Sequence, residues 1–459
     1  MTSPRAPGAQ PSPPMYWEGP PPRGTTPCRS RVGGPKVAAW LTRFIHASTW
    51  HIRFGWFRVA TVSSRSPCGP VEGTDPRPAF CRPRMSTLVT QEMNGAGPAP
   101  IGRHLAEWRT RRNLTVADLA RRSGLPEQLI ASLESGTDWV DRRHVLNSLA
   151  TGLRLDPAEL TSQPYTPCGA DHATVHATAW HVRRHLTRLF AGELAQDHVR
   201  ADTEQLAGLL EAVRTADDGG DLVTAASEVP RLLELIGPLV QHPGDNEGAA
   251  LRSAGYTAVA RLLRRIGYRD LAWSALHQAR PAEEGFTLVM VEEVRLLLDM
   301  GQPAIAVTRA VGTGAALPFE VLLPLSLAHA CLGQEAQSER LLEAAEEMVP
   351  GPEEASAVAS ARAFAAAERG AFDQVLGHAL DADRLPASDR AGLLVLTASA
   401  RARLHRFAEA VTDLATAESV APLHTRLNPL ARELVSVLSS RAENHADVVG
   451  GIAARCGMT

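Results

Sequence analysis

Three groups of side chains in this sequence have the types and spacing that could do chemistry. His172, His176, His181 and His185 are the first. Intervals of four put His172 with His176, and His181 with His185, on shared helix faces, as a set of metal ligands requires. No nearby Cys or Glu completes a set, and no H-E-x-x-H occurs, so a solvated helix face without metal is expected. The second group is Cys28, Cys68, Cys81, Cys168, Cys331 and Cys456, scattered with no C-x-x-C pair. That pattern makes neither a zinc site nor a disulfide framework, and its simplest reading is a reducing, cytoplasmic compartment. The third is the acidic pairs Glu283-Glu284, Glu292-Glu293 and Glu346-Glu347, which fall in helical stretches and read as solvated faces rather than acid-base pairs. No G-x-x-x-x-G-K-[ST] loop and no G-x-S-x-G elbow is present. The expectation is a protein that is not an enzyme and takes no cofactor.

What is left is the chemistry of binding, and residues 101–136 are built to position it. Ile101, Leu105 and Trp108 recur at helical spacing, with Arg109, Arg111 and Arg112 in the last turn, where cations suit the helix dipole. Asn113 tolerates the left-handed conformation that ends a helix. Thr115 caps a second helix, with Asp118 as the third-position acid of a short capping box, and Val116, Leu119 and Ala120 form its buried side. Gly124 supplies the turn. A third helix follows through Pro126 and Glu127, with Leu129, Ile130 and Leu133 on one face, until Gly136 stops it.

Ala120, Gly124, Ile130 and Leu133, each at its offset within about twenty residues, resemble the helix-turn-helix of the lambda-repressor/Cro class, the XRE family. Small Ala120 lets two helices cross closely, Gly124 turns the chain, and Ile130 and Leu133 fill the angle between them. Arg109 and Glu134 match an ion pair between the first and third helices of that family. Asp141 to Gly152 looks like the fourth helix, and Leu155 to Leu160 resembles the closing turn of helix. The resemblance covers roughly residues 98–161. It implies a bacterial, five-helix DNA-binding domain in which the start of the third helix enters the major groove of double-stranded DNA. Glu127, Gln128 and Ser132 then take the base-reading positions: Gln128 can bond adenine in bidentate fashion, and Glu127 can accept from cytosine N4. Arg111, Arg112, Arg121, Arg122, Arg142 and Arg143 are the available phosphate partners. The family's frequent glutamine is replaced by Val116, and its basic segment after the third helix by Thr137-Asp138-Trp139. With nine arginines against eight acids over residues 101–160, modest affinity and a shallow salt dependence are expected.

The chain of 459 residues has room for two or three domains, and 5% aromatics with abundant Ala and Leu argue for helices packed through small residues. The fold class is therefore all-α. Lys36 is the single lysine, which we read as codon usage in a GC-rich genome. Residues 1–85 hold 12 basic and 3 acidic side chains, so a total of −3 leaves the rest of the chain at −12. A globally basic coat for nucleic acid is excluded, and any DNA contact must be a local patch. No 18-residue apolar run exists, so no membrane span is expected.

Residues 1–97 are rich in Pro, Gly, Arg and Ser, a composition that does not offset the entropy of ordering. They read as an over-long gene start, a disordered tail, or, around Trp40, Trp50 and Trp56, a basic-aromatic arm. The helix-turn-helix domain spans 98–162, and 163–179, with Pro164 and Pro167, is a linker. From 180 to 448 helix pairs carry a hidden period. Its marks are Gly267, Gly301, Gly333, Gly370 and His405, at intervals of 34, 32, 37 and 35 residues. Five residues after each mark stands Ala272, Ala306, Ser338, Val375 or Ala410. The spacing resembles the tetratricopeptide repeat, which implies a stacked solenoid with a concave groove. Residues 449–459 are expected to fray. Joined to the head, such repeats suit a transcriptional regulator that the solenoid makes a homodimer, with the groove open to a peptide, protein or small ligand. The second reading is a repeat scaffold whose head no longer binds DNA. Arginines lining the head would favour the first, and a face crossed by Glu127, Asp138 and Asp141 the second.

Overall fold

The computed structural model describes residues 99–458, apart from 197–201, 238, 240–245, 280–285, 313–315, 350 and 380–381. Residues 1–98 and the pair Glu283-Glu284 lie outside the described residues. Every regular element among the described residues is helical.

The head comprises α1 (Pro100–Arg111), α2 (Val116–Ser123), α3 (Glu127–Ser135), α4 (Arg143–Leu153) and α5 (Pro157–Thr161). Asn113 ends the first turn region at a φ of 52°. The Thr115 hydroxyl accepts the Asp118 N–H at 3.0 Å while the Asp118 carboxylate accepts the Thr115 N–H at 3.2 Å, so α2 opens on a reciprocal cap. Gly124 closes it at a φ of 72°, a conformation that costs a residue with a Cβ roughly 1–2 kcal/mol. Ile101, Leu105, Leu119, Ile130, Leu133, Leu149 and Leu160 fill the centre.

The body begins earlier than the sequence suggested. Helix α6 (Ala170–Phe190) is continuous through residue 180, because Val175, Ala179, Val182 and Leu186 make one buried face. The linker is thus 163–169. His172 and His185 belong to that buried face, which corrects the expected solvated one. Nε2 of His185 lies 2.8 Å from the Tyr256 hydroxyl, and burial holds this imidazole down to about 4. His176 meets the Tyr268 hydroxyl at 2.9 Å. After α6 come α7 (Thr203–Asp218), α8 (Leu222–Ser227) and α9 (Val229–Ile236).

Five helical hairpins follow. They pair α10 (Asn246–Arg265) with α11 (Arg269–Gln278), α12 (Phe286–Asp299) with α13 (Pro303–Val311), and α14 (Phe319–Cys331) with α15 (Glu335–Glu347). Then α16 (Pro352–Glu368) pairs with α17 (Phe372–His378), and α18 (Ala387–Arg403) with α19 (Phe407–Val420). The hairpin turns are the five marks, all left-handed: φ is 87° at Gly267, 72° at Gly301, 70° at Gly333, 74° at Gly370 and 60° at His405. Ala272, Ala306, Ser338, Val375 and Ala410 are each fully buried where the two helices of a hairpin cross. The first helices stack on one another in sequence, α10 on α12, α12 on α14, α14 on α16 and α16 on α18. Packed on several sides, α12 buries even Glu292 and Glu293, which correctly read would not be a solvated pair; Glu292 meets Arg264 at 2.5 Å and Glu293 meets Arg309 at 2.8 Å.

The stack curls until α7 meets α18. At that seam a Cβ on Gly220 would lie 2.8 Å from the Val420 carbonyl oxygen, so only glycine fits. Three short helices close the chain: α20 (Pro422–Arg426), α21 (Pro429–Arg441) and α22 (Ala446–Arg455). The last is no frayed tail, because Val449, Ile452 and Cys456 pack into the core formed by α18, α19 and α21.

Candidate nucleic-acid interface

Helix α3 turns Ile130 and Leu133 inward against Leu119 and Ala120 of α2, which fixes its other face outward. Glu127, Gln128, Ala131 and Ser135 are exposed on that face. Ser132 is half-buried and its hydroxyl donates to the Leu129 carbonyl at 2.8 Å, so it stands back from the surface. The structure brings Arg109 and Glu134 together in a bidentate pair, Nε to Oε1 at 2.6 Å and Nη2 to Oε2 at 2.7 Å. A further bond from Arg109 to the Leu114 carbonyl, 2.8 Å, ties the end of α1 to the start of the two-helix unit.

Four of the six arginines proposed for phosphate are exposed, at the ends of α1 and α2. Arg111 and Arg112 both lie over the Trp108 ring, 5.4 and 5.7 Å from its centroid. Arg121 pairs with Asp118 at 2.6 Å, and Arg122 on the next position of α2 is exposed. The other two are not available. Arg143 is turned into the body, ion-paired with Asp299, and Arg142 is held beside Asp141 at 3.3 Å with its tip 3.4 Å from where a Cβ on Gly370 would lie.

Their capture follows from how the head is seated on the rim of hairpin turns. Helix α4 has no cap from its own neighbourhood. Glu368 takes that role, accepting the N–H groups of Arg143 at 2.9 Å and His144 at 3.0 Å, with His144 Nδ1 at 2.9 Å. The carboxylate also sits at the positive end of the α4 dipole. Arg403 holds the loop between α3 and α4: it reaches Asp138 at 2.5 Å, Asp141 at 2.5 Å and the Trp139 carbonyl at 2.7 Å, with its guanidinium 3.7 Å from the Trp139 ring centroid. Asp299, Glu368 and Arg403 each stand two residues before a turn, at Gly301, Gly370 and His405. One register position of the hairpin thus supplies a docking side chain in three of the five repeats. Sequence reasoning missed this set, although the charged residues two places before the marks were visible. Asp138 and Asp141, which would have crossed a DNA face, are spent on Arg403 instead.

Glu433 of α21 forms the third anchor. Only 1% exposed, it accepts the N–H groups of Ile101 at 2.9 Å and Val140 at 3.4 Å. Burial pushes its carboxyl up to about 7, against the opposing pull of those two amides and of Arg103. A carboxyl whose folded value exceeds its unfolded one binds more protons in the native state between the two. Stability from this group is therefore greatest below about pH 4.5 and declines as pH rises to about 7. Glu433→Gln should flatten the pH dependence of the melting temperature between those limits, measured by calorimetry at a series of pH values. An unchanged profile would assign the dependence elsewhere.

Among the described residues no cluster of three or more His, Cys, Asp or Glu could hold a metal ion, and no helix is long and apolar enough to cross a membrane. The helix-turn-helix domain family matches the chain over residues 100–163, which is the head and the first residue beyond it. No curated protein and no solved structure matches the chain.

Proposed function

We propose that this chain is a sequence-specific, DNA-binding transcriptional regulator of the XRE type that works in the cytoplasm. Its head reads double-stranded DNA through Glu127 and Gln128 of α3, and its tetratricopeptide-like hairpins hold that head and make the chain a homodimer. The observation that carries this reading is the exposed face of α3, together with the exposure of Arg111, Arg112, Arg121 and Arg122 at the ends of the two helices that precede it. The withdrawal of Asp138 and Asp141 onto Arg403 supports it against a scaffold with an inactive head, because it removes two of the acids that would repel phosphate.

Selection of genomic fragments bound by the full chain tests the proposal. The expected product is a two-fold motif with half-sites about one helical turn, 10–10.5 base pairs, apart. Gln128→Ala should cost about 1–3 kcal/mol on the selected site and relax one base position. Arg122→Ala should weaken all sequences alike and lower the salt slope by about 1. Recovery of no sequence above that of a Gln128→Ala, Arg122→Ala double variant would turn the reading toward the scaffold.

A further inference from the structure

The curled stack and the head line a half-open cavity of ≈320 Å³. The inner helices α10, α12, α14, α16 and α18 form its walls, and Arg143, Leu146 and Asn147 of α4 close it from the head side. That volume lies at the lower end of small-molecule sites, about 300–1,000 Å³. One wall is apolar, with Leu323, Leu327 and Phe364 among its residues. The other carries five arginines, Arg143, Arg264, Arg265, Arg269 and Arg295, against two acids, Asp299 and Asp389.

The polar wall has more donors than acceptors. Arg264 is matched by Glu292 and Asp299, Arg143 by Asp299, Arg265 by Asp217 at 3.3 Å, and Arg269 by Asp156 at 3.1 Å. Arg295 makes no hydrogen bond or ion pair among the described residues; Asp389 gives it its largest electrostatic support and is shared with Arg261, Arg264 and Arg265. Asn147 is 8% exposed, lines the cavity, and its Nδ2 has no acceptor; Arg265 Nε has none either. A buried donor without an acceptor costs about 1–3 kcal/mol, and a ligand that supplies the acceptor recovers it. His424 cannot be that acceptor for Arg295, since it already lies 2.5 Å from Arg265 Nη1.

We propose that this cavity binds a small amphipathic anion, its carboxylate on Arg295 and Asn147 and its apolar body against Leu323, Leu327 and Phe364. Asn147 belongs to the head and Arg295 to the body, so the ligand bridges the two and strengthens their docking. This regulatory consequence rests on the regulator reading above; the binding itself does not.

Decanoate is the probe, titrated into the full chain by calorimetry, with 1-decanol as the neutral counterpart and inorganic phosphate as the bare anion. Saturable decanoate binding is expected, at least tenfold tighter than either control. Arg295→Met should weaken it at least tenfold, while Arg340→Met, on the exposed side of α15, should leave it unchanged. Should Arg295→Met not fold, hydrogen exchange on the unaltered chain reads the same site: decanoate should slow exchange at residues 143–147 and 295–299. No saturable binding below about 1 mM, equal binding of decanol or phosphate, or exchange unaffected at those residues overturns the proposal. No DNA is present in these measurements. A failure of DNA binding therefore leaves their result intact, and a failure of decanoate binding leaves the DNA reading intact.

Discussion

Arg403→Met is expected to release the head from the rim at a cost of about 3–5 kcal/mol, the penalty for leaving a buried carboxylate without its partner. The carboxylate is Asp141, which is 7% exposed and keeps only Arg142, at 3.3 Å, once Arg403 is gone. The Trp139 carbonyl loses its donor in the same change, Asp138 keeps only the Trp139 N–H, and the Trp139 ring keeps only Arg441, 4.8 Å from its centroid, of the two guanidinium groups stacked on it. Methionine keeps much of the side-chain length, so the loss reports the charge and its hydrogen bonds more than a void. The measurement is denaturant unfolding followed by limited proteolysis. One transition should become two, with new cleavage in the joint at residues 163–169. A single transition displaced by less than about 1 kcal/mol would show that the head is held elsewhere.

Glu368→Ala should cost about 1–3 kcal/mol, because two partly buried backbone N–H groups at the start of α4 lose their acceptor together. Its effect on DNA runs the other way. Undocking frees Arg142 and Arg143, and each released arginine that reaches a phosphate steepens the salt slope by about 1. Non-specific affinity at low salt should therefore rise as stability falls, read by filter binding across a salt series beside the melting curve. Glu368→Gln keeps an acceptor and should show a smaller loss of stability. If Glu368→Ala lowers stability with no change in salt slope, these two arginines do not reach DNA even when free.

The two variants probe opposite ends of one design. Arg403 draws the acidic loop away from the face of α3, which favours DNA, whereas Asp299 and Glu368 draw in Arg143, which opposes it. Of the six arginines, the docked head thereby leaves Arg111, Arg112, Arg121 and Arg122 exposed. The cavity beneath α4 lies where a bound anion would bias that balance toward docking.

Short-range grammar carried the head from the sequence. The Thr115-Asp118 cap, the left-handed Asn113 and Gly124, and the inward face of Leu119, Ile130 and Leu133 all depend on residues within a few positions of each other, so their physics is local and legible. The hairpin turns were legible for the same reason: a left-handed residue followed five places on by a small one recurs at a nearly fixed interval. Where the sequence misled, burial came from elements far along the chain. His172, His185, Glu292 and Glu293 look polar and solvated in their own helices, yet all four are buried; His185 and Glu292 meet Tyr256 and Arg264, which the packing of other helices brings to them, and Glu293 meets Arg309 across its own hairpin. The cap of α4 is the limiting case, since its acceptor lies 225 residues from Arg143. Sequence alone determined the helices of the head, the hairpin turns and which face of α3 points outward, but not where α6 begins nor that α22 packs into the core. The curl of the stack decided which charges that face keeps, because ion pairs between distant segments depend on a three-dimensional approach that no local pattern encodes.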